Sequence, residues 1–242
     1  MTKHLDRENG RRGGNRDIIA LSIGLIAAKQ LFPYTNGIKT GWNFRKAVQY
    51  LQDQWNIIHT ISALNMLEYL KYEGERTAYN ILLPSLLAGN DRQSRRLLLE
   101  KRHLTVDRLI HYSDNLSECL IALQENKVIS INASDLERGI LAWDMVQIIL
   151  IAQISFDAYY LTEEETWEHI YFAYESCQKA FNDWEELGKS YIIGEAMHSG
   201  DNLFFRKSLD LLTETLTEEN SIWSKNGFKH KETNQNDPIS PD

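Results

Sequence analysis

The fold class predicted by this sequence is all-α, a single bundle of about eight to ten helices around one buried central helix, and three observations predict it. Helix-start signals recur as capping boxes, Ser134 with Glu137 and Thr162 with Glu165, each pair three residues apart. Leucines and aromatic residues repeat at three- and four-residue intervals between such signals, the period of a helix face. Only four prolines occur in 242 residues, two of them among the last five, so little interrupts long helices. A chain of this length buries enough surface to fold without covalent staples. Cys119 and Cys177 form no CxxC pattern and read as reduced thiols in a helical interior, which suits a cytoplasmic protein.

Taken in order, residues 1–16 are polar, carry Arg7, Arg11, Arg12 and Arg16, and read as a mobile leader. Residues 17–31 hold the apolar run IIALSIGLIAA, which has the rough layout of a secretory signal. Asp17 as a potential N-cap, Lys29 in the same helical period and the lack of an A-x-A site favour a buried first helix instead. The loop FPYTNGIKTG follows, and from Thr40 or Gly41 a second helix runs to about Trp55 with Trp42, Ala47, Val48 and Leu51 on one face. Thr60 or Ser62 caps a third helix, which Gly74 stops.

Pro84 predicts a short or kinked helix over 77–88. Arg92, Arg95, Arg96, Lys101 and Arg102 make the only dense basic cluster after the leader and read as a solvated helix face. A helix over about 105–124 follows, and NKVISINA reads as a loop. The central helix is expected over 134–158. Glu137, Asp144, Gln147 and Ser155 fall on one narrow polar strip, and almost every other position from Ile140 to Phe156 is apolar, so this helix should be surrounded. A carboxylate there, at Asp144 beside Trp143, must find a donor or take up a proton. Helices starting at Thr162, near Trp184 and at about 202 complete the domain, expected over 17–223, with 224–242 an unfolded tail.

The segment from 142 to 194 resembles an uncharacterised bacterial family, domain of unknown function 1266. The residues that carry the resemblance are Ala142-Trp143-Asp144, Tyr160, Thr162 to Glu165, Trp167, Trp184-Glu185-Glu186, Tyr191 and Gly194, with looser agreement at Trp42, Trp55-Asn56-Ile57 and Ser221-Ile222-Trp223. The sequence departs from the pattern at Gln147 and Gln153, where the family has arginines, and at Tyr159, where glycine is usual. The resemblance implies a helical bacterial protein with no assigned activity. If the family has an Asp-Arg centre, Gln147 would leave Asp144 only a neutral amide.

The excess of acidic over basic residues, net charge −8, counts against general binding to nucleic acid. No apolar stretch is both long and uncharged enough to span a membrane. The histidines show no H-x3-H or HExxH spacing, and no phosphate-cradling loop or nucleophile elbow is present, so no metal and no cofactor are expected. Two functions remain. One is a non-catalytic acidic protein that binds a protein partner, expected to be basic, in an immunity-like or regulatory role. The other is a hydrolase or transferase in which Asp144 pairs with Glu185 or Glu186 near Trp143, Trp184 and Tyr191. A pocket lined by Asp144 and Glu185 would favour the enzyme; a solid core there would favour the binder, with Trp143, Asp144, Gln147, Tyr160, Trp184 and Gly194 as structural or binding residues.

Overall fold

The computed structural model describes residues 14–88, 92–100 and 107–229. Thirteen helical segments and, among the described residues, no strand make up the fold; ten of the segments are at least eight residues long. The first half contains α1 (Asn15–Ser22), α2 (Leu25–Leu31), α3 (Phe44–Trp55), α4 (Thr60–Tyr72), α5 (Arg76–Leu87), α6 (Arg92–Glu100) and α7 (Asp107–Glu125). The second contains α8 (Ala133–Arg138), α9 (Leu141–Asp157), α10 (Glu163–Ala180), α11 (Trp184–Ser199), α12 (Leu203–Thr217) and α13 (Ile222–Lys225).

The core is built on α9, in which every side chain from Ala142 to Ser155 is buried. Such a helix has no polar face to offer water, so α10, α11, α4 and α3 pack around it, and α2 touches it as well. Two glycines set how closely its neighbours approach. A Cβ on Gly24 would lie 3.2 Å from Ile149 Cγ2, and a Cβ on Gly194 would overlap Trp143.

The central helix expected over 134–158 is two helices. Asn132, not Ser134, caps α8, accepting from the Ser134 and Asp135 amides while Asp135 returns a bond to Asn132. Gly139 then adopts φ +82, a region open to glycine, and the chain restarts as α9. Ser190 on α11 bridges the break: its hydroxyl donates to the Gly139 carbonyl at 2.8 Å and accepts from the Ala142 amide at 3.1 Å.

Other starts also shift. Asp17 does not cap α1, which begins at Asn15; its carboxylate accepts from the Tyr171 hydroxyl. Asn43 caps α3 and His59 caps α4, with Ser62 completing the box from the third position. The Thr162–Glu165 box opens α10 as the spacing predicts. The apolar run of the first helix is buried in the core, and it bends between α1 and α2.

Ordered packing continues beyond 223, where the tail was expected to leave the fold. Phe228 is buried edge-on against Trp184, which in turn stacks on Trp223 at 4.9 Å, and Gln178 donates to the Phe228 carbonyl at 2.6 Å. One apolar side chain suffices because an aromatic slot already exists for it. In the basic cluster, Arg96 is exposed and pairs with Glu100 one turn on, at 2.8 Å; Lys101, Arg102 and leader residues 1–13 lie outside the described residues. Among the described residues, no helix is long and apolar enough to cross a membrane.

Candidate functional site

Asp144 sits in the first turn of α9 with no exposed surface. Its carboxylate faces the α4–α5 junction, where Gly74 turns the chain at φ +64 and a Cβ would overlap the carboxylate itself. One oxygen accepts from the Glu75 amide at 2.8 Å; the other accepts from the Arg76 amide at 3.3 Å and from Arg76 Nη1 at 2.7 Å. The Arg76 guanidinium also donates to the carbonyls of Leu70 and Lys71, closing the C-terminus of α4. Asp144 therefore acts as a cap donated from another helix. The arginine partner does exist, supplied by α5 rather than from α9 itself. Burial pushes the carboxyl up to about 6, opposed by the Arg76 side chain and the two amides.

Gln147, one turn after Trp143, does not bond Asp144. It lines a cavity of about 430 Å³ between α3, α9 and α11, walled by Tyr50, Trp55, Trp143 and Tyr191. Glu195, only 4 % exposed, lines it too. That carboxylate accepts from Trp143 Nε1 at 3.3 Å and from the Ser199 hydroxyl, both neutral donors. The Tyr191 hydroxyl, buried, faces Glu195 and Ser208 yet makes a well-aligned hydrogen bond with neither. Burial raises the Glu195 pKa, and burial together with the Glu195 charge pushes Tyr50 up to about 12. His198 stands at the mouth with an exposed edge, its ring stacked on Trp143 at 4.9 Å; desolvation on that packed side lowers its pKa.

A neighbouring cavity of about 500 Å³ shares Gln54, Trp55 and His198 with the first and reaches Glu75 and Arg108. There Glu75 accepts from Arg108 and from the Tyr69 hydroxyl, while its second oxygen is buried without a hydrogen bond.

The remaining predicted residues lie apart from Asp144. Glu185 pairs with Lys189 at 2.8 Å, and Glu186 takes Asn182 and Arg138, so neither joins a carboxylate pair with Asp144. Tyr191 belongs to the Glu195 cavity. Trp184 stacks on Trp223 and donates to the Asn226 carbonyl at 2.9 Å. Gln153 holds the loop before α3 through the Gly37 carbonyl at 2.8 Å. No group of three His, Cys, Asp or Glu among the described residues is arranged to hold a metal ion.

The α9–α10 turn carries a different kind of feature. Tyr159 adopts φ +55 and is 82 % exposed, its ring stacked on the exposed Phe44 at 5.9 Å. The next residue, Tyr160, donates to the Ile58 carbonyl at 3.0 Å, which ties the turn to the start of α4, where Ile58 and Ile61 are exposed too.

Sequence reasoning missed Glu195, His198, Glu75 and Arg76. Glu195 had a signal: it follows the motif glycine Gly194 and shares a helical face with Tyr191 and Ser199, four residues to either side. Arg76 had none, because its link to Asp144 spans 68 residues.

Compared with known proteins, the chain matches no curated protein and no solved structure. A family model does match, over residues 50–228, about three quarters of the chain. That span holds the Asp144 cap, the Trp143–Gly194 contact and the Phe228 slot, and it places the chain in the family described as Protein of unknown function (DUF1266).

Proposed function

We propose that the protein works by binding a protein partner rather than by catalysis, in an immunity-like or regulatory role in the cytoplasm. The observation that carries this reading is Tyr159. A residue one position past a helix end often takes the left-handed conformation, and glycine does so without strain. A tyrosine there costs about 1–2 kcal/mol, and its ring gains no burial in return. Strain retained to display an aromatic pair beside exposed Ile58 and Ile61 is the signature of a contact surface, since aromatic anchors dominate interface energetics. Charges flank the pair, with Arg45 on the α3 side and Glu163 and Glu164 on the α10 side, which would fix a partner's orientation. The overall negative charge would speed capture of a basic partner. Asp144 supports the same reading from the other direction, because its lone pairs are spent on the α4–α5 junction.

The test is affinity capture from the native host at low and high salt, using the wild type, Tyr159→Gly and Asp144→Asn. Recovery of a basic, salt-sensitive partner by the wild type and its loss with Tyr159→Gly is the expected result. A folded Asp144→Asn protein that abolishes the gene's phenotype, with no partner recovered by any form, would mean catalysis instead.

A further inference from the structure

We infer that the cavity between α3, α9 and α11 binds a small organic cation, a protonated amine or guanidinium on an apolar body, with Glu195 as its counter-charge. This goes beyond partner binding at Tyr159 and uses different residues. A carboxylate removed from water needs a positive partner, a full set of donors or a proton, and a bound cation is what would keep it ionised. Glu195 has two neutral donors, the Trp143 indole and the Ser199 hydroxyl, and no ion pair with any described residue. The hydroxyl of Tyr191, almost fully buried, faces the same carboxylate without a well-aligned hydrogen bond.

The walls suit the same ligand. The rings of Tyr50 and Trp55 line the cavity beside Trp143, whose face is stacked on His198, and aromatic rings attract cations through their quadrupoles. Gln54 and Gln147 supply neutral hydrogen-bonding groups. At about 430 Å³ the space matches a small-molecule site rather than a single trapped water. An anion would meet Glu195 directly, and a purely apolar molecule would leave the carboxylate's charge unbalanced.

The experiment titrates the full chain with phenethylamine and with its neutral analogue 2-phenylethanol, followed by calorimetry and tryptophan emission. The amine should bind with a Kd between roughly millimolar and micromolar, as expected for a ligand of this size. The alcohol and the variant Glu195→Gln should each weaken binding about tenfold or more, through loss of a charge-assisted contact. Affinity for the amine should fall as acid protonates Glu195. If Glu195→Gln does not fold, Gln54→Lys decides: an ammonium tethered at the exposed margin of the cavity should compete with the amine for Glu195 and weaken its binding about tenfold or more. No amine binding by the wild type overturns the inference, as does equal affinity for amine and alcohol, or undiminished amine binding by whichever variant folds. Capture of a partner through Tyr159 is read separately, so either result can fail alone.

Discussion

Residue by residue, the fold depends most on the knot at Gly74, Arg76 and Asp144. Arg76→Met leaves a buried carboxylate facing two amides, and should cost about 3–5 kcal/mol in chemical denaturation. Arg76→Met combined with Asp144→Leu should recover part of that loss, since a buried pair replaced whole is often close to neutral. A double variant as unstable as the sum of both singles would mean that the two residues act independently. His169 gives a pH signature. Desolvation, aided by the Lys71 charge, lowers it to about 4 from 6.5, and its buried Nδ1 has no hydrogen bond. The unfolded chain therefore takes up the proton first as pH falls, so this contribution is complete above 6.5 and is lost between about 6.5 and 4. Asp144 runs the other way. Raised from 3.8 to about 6, it favours the folded state at low pH, and that gain is lost as pH rises through the same range. Between pH 4 and 6 the two trends oppose each other, so His169→Gln should lose stability relative to the wild type as pH rises through this window. Parallel curves for the two proteins would show that His169 does not titrate as described. Asp144 could be identified from sequence as a buried carboxylate because its neighbours are all apolar, but its partner could not: a contact between remote helices leaves no periodic trace.

At the scale of elements, local signals were readable and the breaks between them were not. The Thr162 box needs only two residues three apart, and α10 starts where they say. The interruption at Gly139 depends on Ser190, 51 residues away, which satisfies the freed carbonyl. A single glycine at the start of an apolar run gives no warning of that. The α9 terminus yields a sharp prediction. Tyr159→Gly should stabilise the protein by about 1 kcal/mol, by removing the left-handed penalty without loss of buried area. Destabilisation measured by thermal melting would show that stacking on Phe44 outweighs the strain, and would remove the main support for a contact surface there.

For the whole molecule, the all-α bundle was legible from composition and periodicity, while the reach of its packing near the C-terminus was not. The sequence after Ser224 is poor in apolar residues, but burial depends on whether a slot exists, and Trp184 with Trp223 forms one. Deleting residues 226–242 should therefore remove about 2 kcal/mol of apolar burial at Phe228, lowering Tm by roughly 4–8 °C for a domain of this size. Phe228→Ala alone should reproduce most of the drop, and an unchanged Tm in both would show that the slot contributes nothing. The contact between Gly194 and Trp143 bears on the cavity in another way. With the α11 backbone directly behind it, the indole has no room to recoil, so that side is a rigid mould against which a guest is measured. Gln54 and Trp55, by contrast, stand at the margin where α3 meets solvent. Fit is therefore dictated from the Trp143 side and adjusted at the exposed margin, where Gln54, Trp55 and Phe204 have room to change.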